Sequence, residues 1–507
     1  MTADSGRSQR ALRIALPILA TVAIVAPVTW LWQTSRVPGA YSVMNMGYLD
    51  YGGVAMSDPG EGGHGGQMQG DMGSHHLAAS RLVTDMITEP DRPADVRVDL
   101  VTRQQMLSVG GRSISGFTVN GTSPGPKIRA KQGQLIEVHL HNESVTDGVT
   151  LHWHGVDIPN AMDGVAGVTQ DAVPIGGEFT YRFVANQAGS YWYHSHQVSN
   201  PQVAGGLLGS LVVAPRSGIA QQVDVSAIAH TYGGVRTING KAEDLHVAAR
   251  PGQLVRLRVT NTDNGPMEVW TGAPYRLLAT DGTEVHQPTE VSGRSVTLTA
   301  GGRADLEVTV PGDGTAVRMQ LSKATAIIIG PPAADAPVAP QPIAELDLLA
   351  YGSPAPLDFD PAHATRRFEY RIGRRPGFVK GQPGVWWSIN GHLYPNMPMY
   401  VVREGDIVVM HIENHSGEVH PMHLHGHHEV VLTRNGVAAT GSPWWVDSLN
   451  VLPGETYDIA FVANNPGIWM DHCHNLKHAA QGMIAHLIYE GFDTPYRIPG
   501  PADNQPE

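Results

Sequence analysis

Three stretches of this 507-residue chain are versions of one another, and the repetition narrows the fold more than any single motif. The first is Val119-Asn-Gly121 followed by Lys131-Gln-Gly-Gln-Leu-Ile-Glu-Val-His-Leu-His-Asn142. The second is Ile238-Asn-Gly240 with Arg250-Pro-Gly-Gln-Leu-Val-Arg-Leu-Arg-Val-Thr-Asn261, and the third Ile389-Asn-Gly391 with Arg403-Glu-Gly-Asp-Ile-Val-Val-Met-His-Ile-Glu-Asn414. A glycine lies nine residues before the closing asparagine in each: 133 to 142, 252 to 261 and 405 to 414. A second echo follows in Gly177-Glu-Phe-Thr-Tyr-Arg-Phe183, Gly302-Arg-Ala-Asp-Leu-Glu-Val308 and Gly454-Glu-Thr-Tyr-Asp-Ile-Ala-Phe461. A turn followed by period-two alternation is the pattern of a strand with one buried face. A repeat longer than a hundred residues means homologous domains, not stacked solenoid units. The expected fold is all-β, with a β-sandwich of short strands in each of three domains. The 58 glycines and 37 prolines fit short strands joined by turns. The domains are expected at 93–216, 217–345 and 346–507, with breaks near 215–217 and in the Pro/Ala-rich 331–340.

The three units differ in chemistry. The first carries His152-Trp-His154 and Tyr191-Trp-Tyr-His194-Ser-His196. The third carries His420-Pro-Met-His423-Leu-His425 and Trp469-Met-Asp-His472-Cys473-His474-Asn-Leu-Lys-His478, with Met483 five residues further on. The middle unit offers only Pro266-Met-Glu-Val-Trp-Thr-Gly272 at the matching place, so it is expected to be metal-free and structural. Cys473 is the single cysteine, which forbids an intramolecular disulfide. A lone cysteine ordinarily packs as a small hydrophobe. A thiolate with imidazoles and a weak thioether, however, is the ligand set of a blue-copper electron-transfer site. On an extended backbone His472 and His474 share the face opposite Cys473, which implies a second site beside it. Four His-X-His elements would gather eight imidazoles, more than one mononuclear site can use, and neutral imidazoles suit copper. His139-Leu-His141 lies on the repeat strand, where the other units have Arg256, Arg258, His411 and Glu413; it is expected to be an exposed polar face.

Those four elements, in that order, resemble the multicopper oxidases of the three-domain, laccase-like bacterial type, over about residues 95–490. The resemblance implies three cupredoxin-like Greek-key β-sandwich domains and four copper ions: one type 1, one type 2 and two type 3. It gives His420, Cys473 and His478 to the type 1 copper, with Met483 axial. It gives His152 and His423 to the type 2 copper, and His154, His194, His196, His425, His472 and His474 to the type 3 pair. All twelve positions are filled. The implied reaction takes single electrons from a reducing substrate at the type 1 copper, passes them through Cys473 and reduces O2 to two waters. Two carboxylates carry over as well. Asp163, nine residues after His154, matches an acid that assists O2 reduction, and an Asp-Gly turn is its plainer reading. Asp447, in Trp444-Trp-Val-Asp-Ser448, matches a carboxylate beside a type 1 histidine that meets substrate; its plainer reading is a loop or strand-end acid. Some bacterial relatives have a glutamate directly after the last type 1 histidine; this chain has Ala479, so no proton relay is carried over to that point.

The formal charge of -13 argues against nucleic-acid binding and tolerates neutral or cationic donors. The donor stays open between phenols or aromatic amines and metal ions such as Cu(I), Fe(II) or Mn(II). Arg7, Arg10 and Arg13 precede an apolar run over 14–32, so 1–37 is expected to be a transmembrane anchor with the body extracytoplasmic. The alternative is a cleaved signal peptide, with Gly39-Ala40 the best cleavage point. Residues 38–92 are expected to form a Gly/Met/His-rich tether. Met44, Met46, His64, Met68, Met72, His75 and His76 would make it either a copper collector or a plain solvated linker. The catalytic body is expected to be monomeric. A reading of another class is an extracytoplasmic copper-sequestering, copper-tolerance protein whose oxidase activity is incidental. A two-copper nitrite reductase is disfavoured by the surplus of histidines.

Overall fold

The computed structural model describes residues 5–53 and 81–507. Beyond the helix Ser5–Thr34 the described chain is almost entirely strand and turn. The repeat has an atomic basis. In each unit the repeat strand (Leu135–Asn142, Leu254–Asn261, Ile407–Asn414) lies between a parallel and an antiparallel neighbour in one shared register. Ile136 faces Val96 and Phe183, Val255 faces Val223 and Val308, and Val408 faces Arg366 and Phe461. The Asn-Gly turns place Asn120, Asn239 and Asn390 in the left-handed region at φ +52°, +52° and +53°. Asparagine tolerates that region and can bond to nearby backbone there. Its side chain accepts from the N–H of Val101, Ile228 and Arg371 at 2.6, 2.9 and 2.8 Å.

The asparagine that closes each repeat is buried, and its amide donates to backbone carbonyls on two further segments of its unit. Asn142 serves Val145 and Val173, Asn261 serves Gly265 and Leu298, and Asn414 serves Glu418 and Val451. Buried carbonyls need partners, so these side chains hold the loops that lead into the next sheet.

Each unit stacks two sheets over its own apolar core. The second sheet of the first unit contains His152–His154 and Gly189–His194; that of the third contains His420–Leu424 and Ile468–Cys473. His420 follows Asn414 by six residues, as Met267 follows Asn261. Met267 and Val269 are buried in the middle core, so the middle unit fills the matching strand with packing residues.

The helix Ser5–Thr34 contains both Pro17 and Pro27. Its stretch Leu16–Thr34 has a mean hydropathy of 1.6 and is long and apolar enough to cross a membrane.

The stretch expected as a tether differs at both ends. Tyr41, Val43 and Met46 are buried in the third unit's core, and Tyr48–Asp50 is an edge strand parallel to Pro398–Val402. Arg81–Leu82 pairs with Phe492–Asp493, and Val83 is fully buried. These apolar residues leave water by joining the body, so 38–53 and 81–92 are not free linker. Met46 is core and Met44 packs against it, which removes both from any solvent-facing copper collector. His64, Met68, Met72, His75 and His76 lie outside the described residues.

Replacing Asn261 by Ala removes the buried donor to the Gly265, Leu298 and Thr299 carbonyls. Asn261→Ala is expected to cost about 1–3 kcal/mol of stability, read as a lower urea midpoint.

Candidate metal centre

Two clusters of metal-binding side chains stand on adjoining ends of the first and third units. The smaller joins His420, at the start of its strand, Cys473, at the end of its own, and His478, in the short helix Leu476–Ala480. Cys473 Sγ lies 3.5 Å from His420 Nδ1 and 3.6 Å from His478 Nδ1, and the two Nδ1 atoms are 3.3 Å apart. The Cys473 N–H donates to the Met483 carbonyl at 3.3 Å, and the Met483 side chain is buried in the same core. The outer ring nitrogens are occupied elsewhere: His420 Nε2 by the Ser416 hydroxyl at 2.7 Å, His478 Nε2 by the Asn475 amide at 3.1 Å. That leaves both Nδ1 atoms for the site, the way outer partners orient imidazole ligands. The Trp387 ring closes it, with centroids 4.8 and 4.3 Å from the two imidazoles. Burial raises the Cys473 thiol and lowers His420 to about 3, so a thiolate here calls for a bound cation.

The larger cluster holds eight histidines, all buried: His152, His154, His194, His196, His423, His425, His472 and His474. Three Nε2–Nε2 approaches cross it: His152 to His423 at 3.4 Å, His425 to His472 at 3.2 Å and His196 to His472 at 3.4 Å. Burial lowers His154, His194, His196, His423, His425 and His472 well below the usual histidine value, and brings His474 to about 3. Burial thus favours the neutral form of these seven rings, each with a lone pair to offer. His154 Nδ1, His194 Nε2 and both nitrogens of His474 are buried with no hydrogen-bond partner. Orphaned polar atoms in a dry site are costly, and converging orphaned imidazoles are what several soft-to-borderline metal ions would satisfy. The donor set fits copper.

Around the cluster, Nδ1 atoms are held by oxygens. Asp163, buried, takes His152 Nδ1 at 3.0 Å and His425 Nδ1 at 3.1 Å, tying the two units together. Burial raises its carboxyl, against the pull of His152. The Asp447 carbonyl takes His423 Nδ1 at 2.7 Å, and the Ser195 carbonyl takes His194 Nδ1 at 3.0 Å.

Asp447 is not where the sequence comparison placed it. Its side chain is 0% exposed, and Oδ1 lies 3.2 Å from His154 Nε2, on the larger cluster. It is gripped by both ends of the Arg303 guanidinium, with Arg303 Nη1 at 2.6 Å from Oδ1. A buried carboxylate needs such a partner, and this one holds Asp447 at the larger cluster, not beside His420 or His478. Arg303 comes from the middle unit, and its N–H donates to Asp281 at 2.8 Å. Burial, with the nearby Asp447 charge, pushes the Asp281 carboxyl up to about 6. The middle unit is metal-free at its own strand yet supplies the cation under the cluster. A sequence signal for Arg303 existed: in the shared register it stands where the other units have Glu178 and Thr456.

The acid beside the smaller cluster is Glu418, two residues before His420 and outside the His-X-His pattern. Its carboxylate is 3.6 Å from His478 Nε2, half-exposed, and 3.0 Å from Arg374. Glu507, with no motif to mark it, lies 3.1 Å from His472 Nδ1. His139 is exposed as expected, while His427 is buried against Tyr489.

A buried Cys/His site bonded through one strand end to an eight-histidine cluster defines a metalloprotein built for electron transfer between two centres. Family models described as multicopper oxidase match residues 100–218 and 365–491. Multicopper oxidase MmcO of Mycobacterium tuberculosis is 28% identical over 473 residues, 79% of this chain and 88% of that protein. Laccase-1 of Botryotinia fuckeliana is 26% identical, over 77% of this chain and 81% of its own. A crystal structure of a multi-copper oxidase from Pseudomonas Thermotolerans superposes with a TM-score of 0.65 at 27% identity, covering 78% of this chain and 98% of that one. The chain belongs to the multicopper oxidase family: it is a copper-binding oxidase that uses O2.

Arg303→Met leaves Asp447 buried with the longer 3.6 Å contact to His428, and is expected to cost about 3–5 kcal/mol, measured by urea denaturation. Adding Asp447→Asn removes the stranded charge and should recover most of that loss.

Proposed function

We propose that this chain binds four copper ions and couples four one-electron oxidations of a small donor to the reduction of O2 to two waters. One observation carries the reading. Cys473, in the three-residue site, is bonded directly to His472 and His474, in the eight-histidine cluster. His420, Cys473, His478 and Met483 would hold the type 1 copper. His152 and His423 would hold the type 2 copper, and the other six histidines the type 3 pair. Bound there, copper supplies one-electron acceptance and multi-electron O2 chemistry.

The chain's own residues do the rest. The peptide links on either side of Cys473 give a covalent path between the two sites. Trp387 excludes water from the smaller one. Asp163, its Oδ2 3.1 Å from His425 Nδ1, is placed to carry protons into the larger. Glu418 stands at the outer nitrogen of His478, the least buried edge of the smaller site, and presents an acceptor to an arriving phenol O–H or metal cation. The N-terminal helix would hold a monomeric body on the extracytoplasmic side of a membrane.

Cys473→Ser should abolish the blue absorption and the oxidase activity together, whereas the unaltered protein should carry about four coppers per chain by metal analysis. A blue mutant would refute the type 1 assignment. Oxygen uptake on phenols, Fe(II), Cu(I) and Mn(II) identifies the donor class. Glu418→Gln should raise KM about two- to fivefold for cationic donors, with kcat on a neutral phenol unchanged.

A further inference from the structure

Residues 503–507, which follow the last strand, also reach the larger cluster. This stretch is pinned along the first unit beside the loop that follows His194–His196. Asn504 Oδ1 accepts from the Ala172 N–H at 2.8 Å, and its Nδ2 donates to Asp171 at 2.7 Å. Gln197 Nε2 donates to the Asp503 carbonyl at 3.0 Å, the Gln505 N–H donates to Gln197 Oε1 at 2.8 Å, and the Val198 N–H donates to the Gln505 carbonyl at 2.6 Å.

The last two residues of the stretch meet two imidazoles from different units. The Pro506 carbonyl accepts from His196 Nδ1 at 3.0 Å. The Glu507 carboxylate lies 3.1 Å from His472 Nδ1 and 3.7 Å from His196 Nε2, and its other oxygen accepts from the Ser199 hydroxyl. On the inner side, the Nε2 atoms of the same two histidines face each other at 3.4 Å. His472 Nδ1 and Glu507 Oε1 are both buried and neither has a hydrogen-bond partner, so the 3.1 Å between them is a close contact outside hydrogen-bond geometry. The remaining held rings are oriented by oxygens built into the two outer units: Asp163 for His152 and His425, the Asp447 carbonyl for His423, the Ser195 carbonyl for His194. Among the described residues the oxygen held by His196 Nδ1 comes from this stretch, as does the carboxylate beside His472 Nδ1.

We propose that residues 503–507 position the copper pair: the Pro506 carbonyl and the Glu507 carboxylate fix the rings of His196 and His472 so that their Nε2 atoms converge from opposite units. This rests on the reading that these histidines hold copper. A ligating imidazole is oriented by the group its second nitrogen meets, and loss of that group weakens the metal about ten- to a hundredfold. Glu507 is thus a positioning residue, supplied by a segment that belongs to neither His-X-His strand. Pro506 contributes through its backbone, so its effect is reached only by shortening the chain.

The test compares Glu507→Ala, Glu507→Gln and a chain ending at Gln505, each as the whole copper-loaded protein. Copper per chain and blue absorbance per chain are followed against increasing chelator, with the Tm of the copper-free form as a fold control. The Ala variant and the shortened chain are expected to keep the blue absorbance and the apo Tm. They should release the paired copper at about tenfold lower chelator than the unaltered protein. The Gln variant keeps an acceptor oxygen and should hold its copper. An Ala variant that retains its full copper under the same challenge overturns the proposal. So does one that loses blue absorbance, copper and Tm in parallel, the mark of general destabilisation. Failure of the underlying reading looks different: the unaltered protein would itself carry no copper beyond the blue site.

Discussion

Everything near the two sites answers to one constraint: neutral imidazoles buried with their lone pairs facing one another. Water would satisfy each ring cheaply, and desolvation strips that option away. The chain therefore supplies oxygens on the outer sides of the rings and leaves the inner nitrogens to meet at 3.2–3.4 Å. Such an arrangement is poorly satisfied until cations enter, so the protein is built to want metal. The Cys473 thiol obeys the same logic, since burial holds its proton on and only a positive neighbour favours the thiolate.

The repeated sandwich makes that constraint affordable to satisfy. Its closing asparagines fasten the loops between sheets, so that short strands can deliver side chains without slack. The two outer units contribute rings from opposite directions, and Asp163 bridges them. The middle unit gave up ligands for packing at Met267 and Val269, yet its Arg303 reaches across to clamp Asp447 beneath His154. Its part is electrostatic as well as spatial: it brings a fixed positive charge to a buried carboxylate whose other basic neighbour, His428, stands 3.6 Å away.

Local pattern was legible and distant pairing was not. The strands and turns of the repeat follow from period-two alternation, left-handed asparagines and glycine, all encoded within a dozen residues. The His-X-His elements were legible for the same reason, because the strand itself sets which way two rings point. Asp447 looks alike in sequence on either side of a sheet; what places it is Arg303, 144 residues earlier. Glu418 sat beside a recognised motif but carried no pattern of its own, and Glu507 lies beyond every motif. The tether expectation was too long at both ends because average composition hides a few decisive residues. Tyr41, Val43 and Met46 are enough to bring the chain around them into the core.

That last feature sets a length. Tyr41 is buried in the third unit only seven residues beyond Thr34, where the apolar helix ends. Seven residues reach about 25 Å at full extension. If the helix is retained in a bilayer, the oxidase is no buoy on a long line; it rides close to the surface. Its choice of donor is then made from what is present in the thin layer of solvent just outside the headgroups.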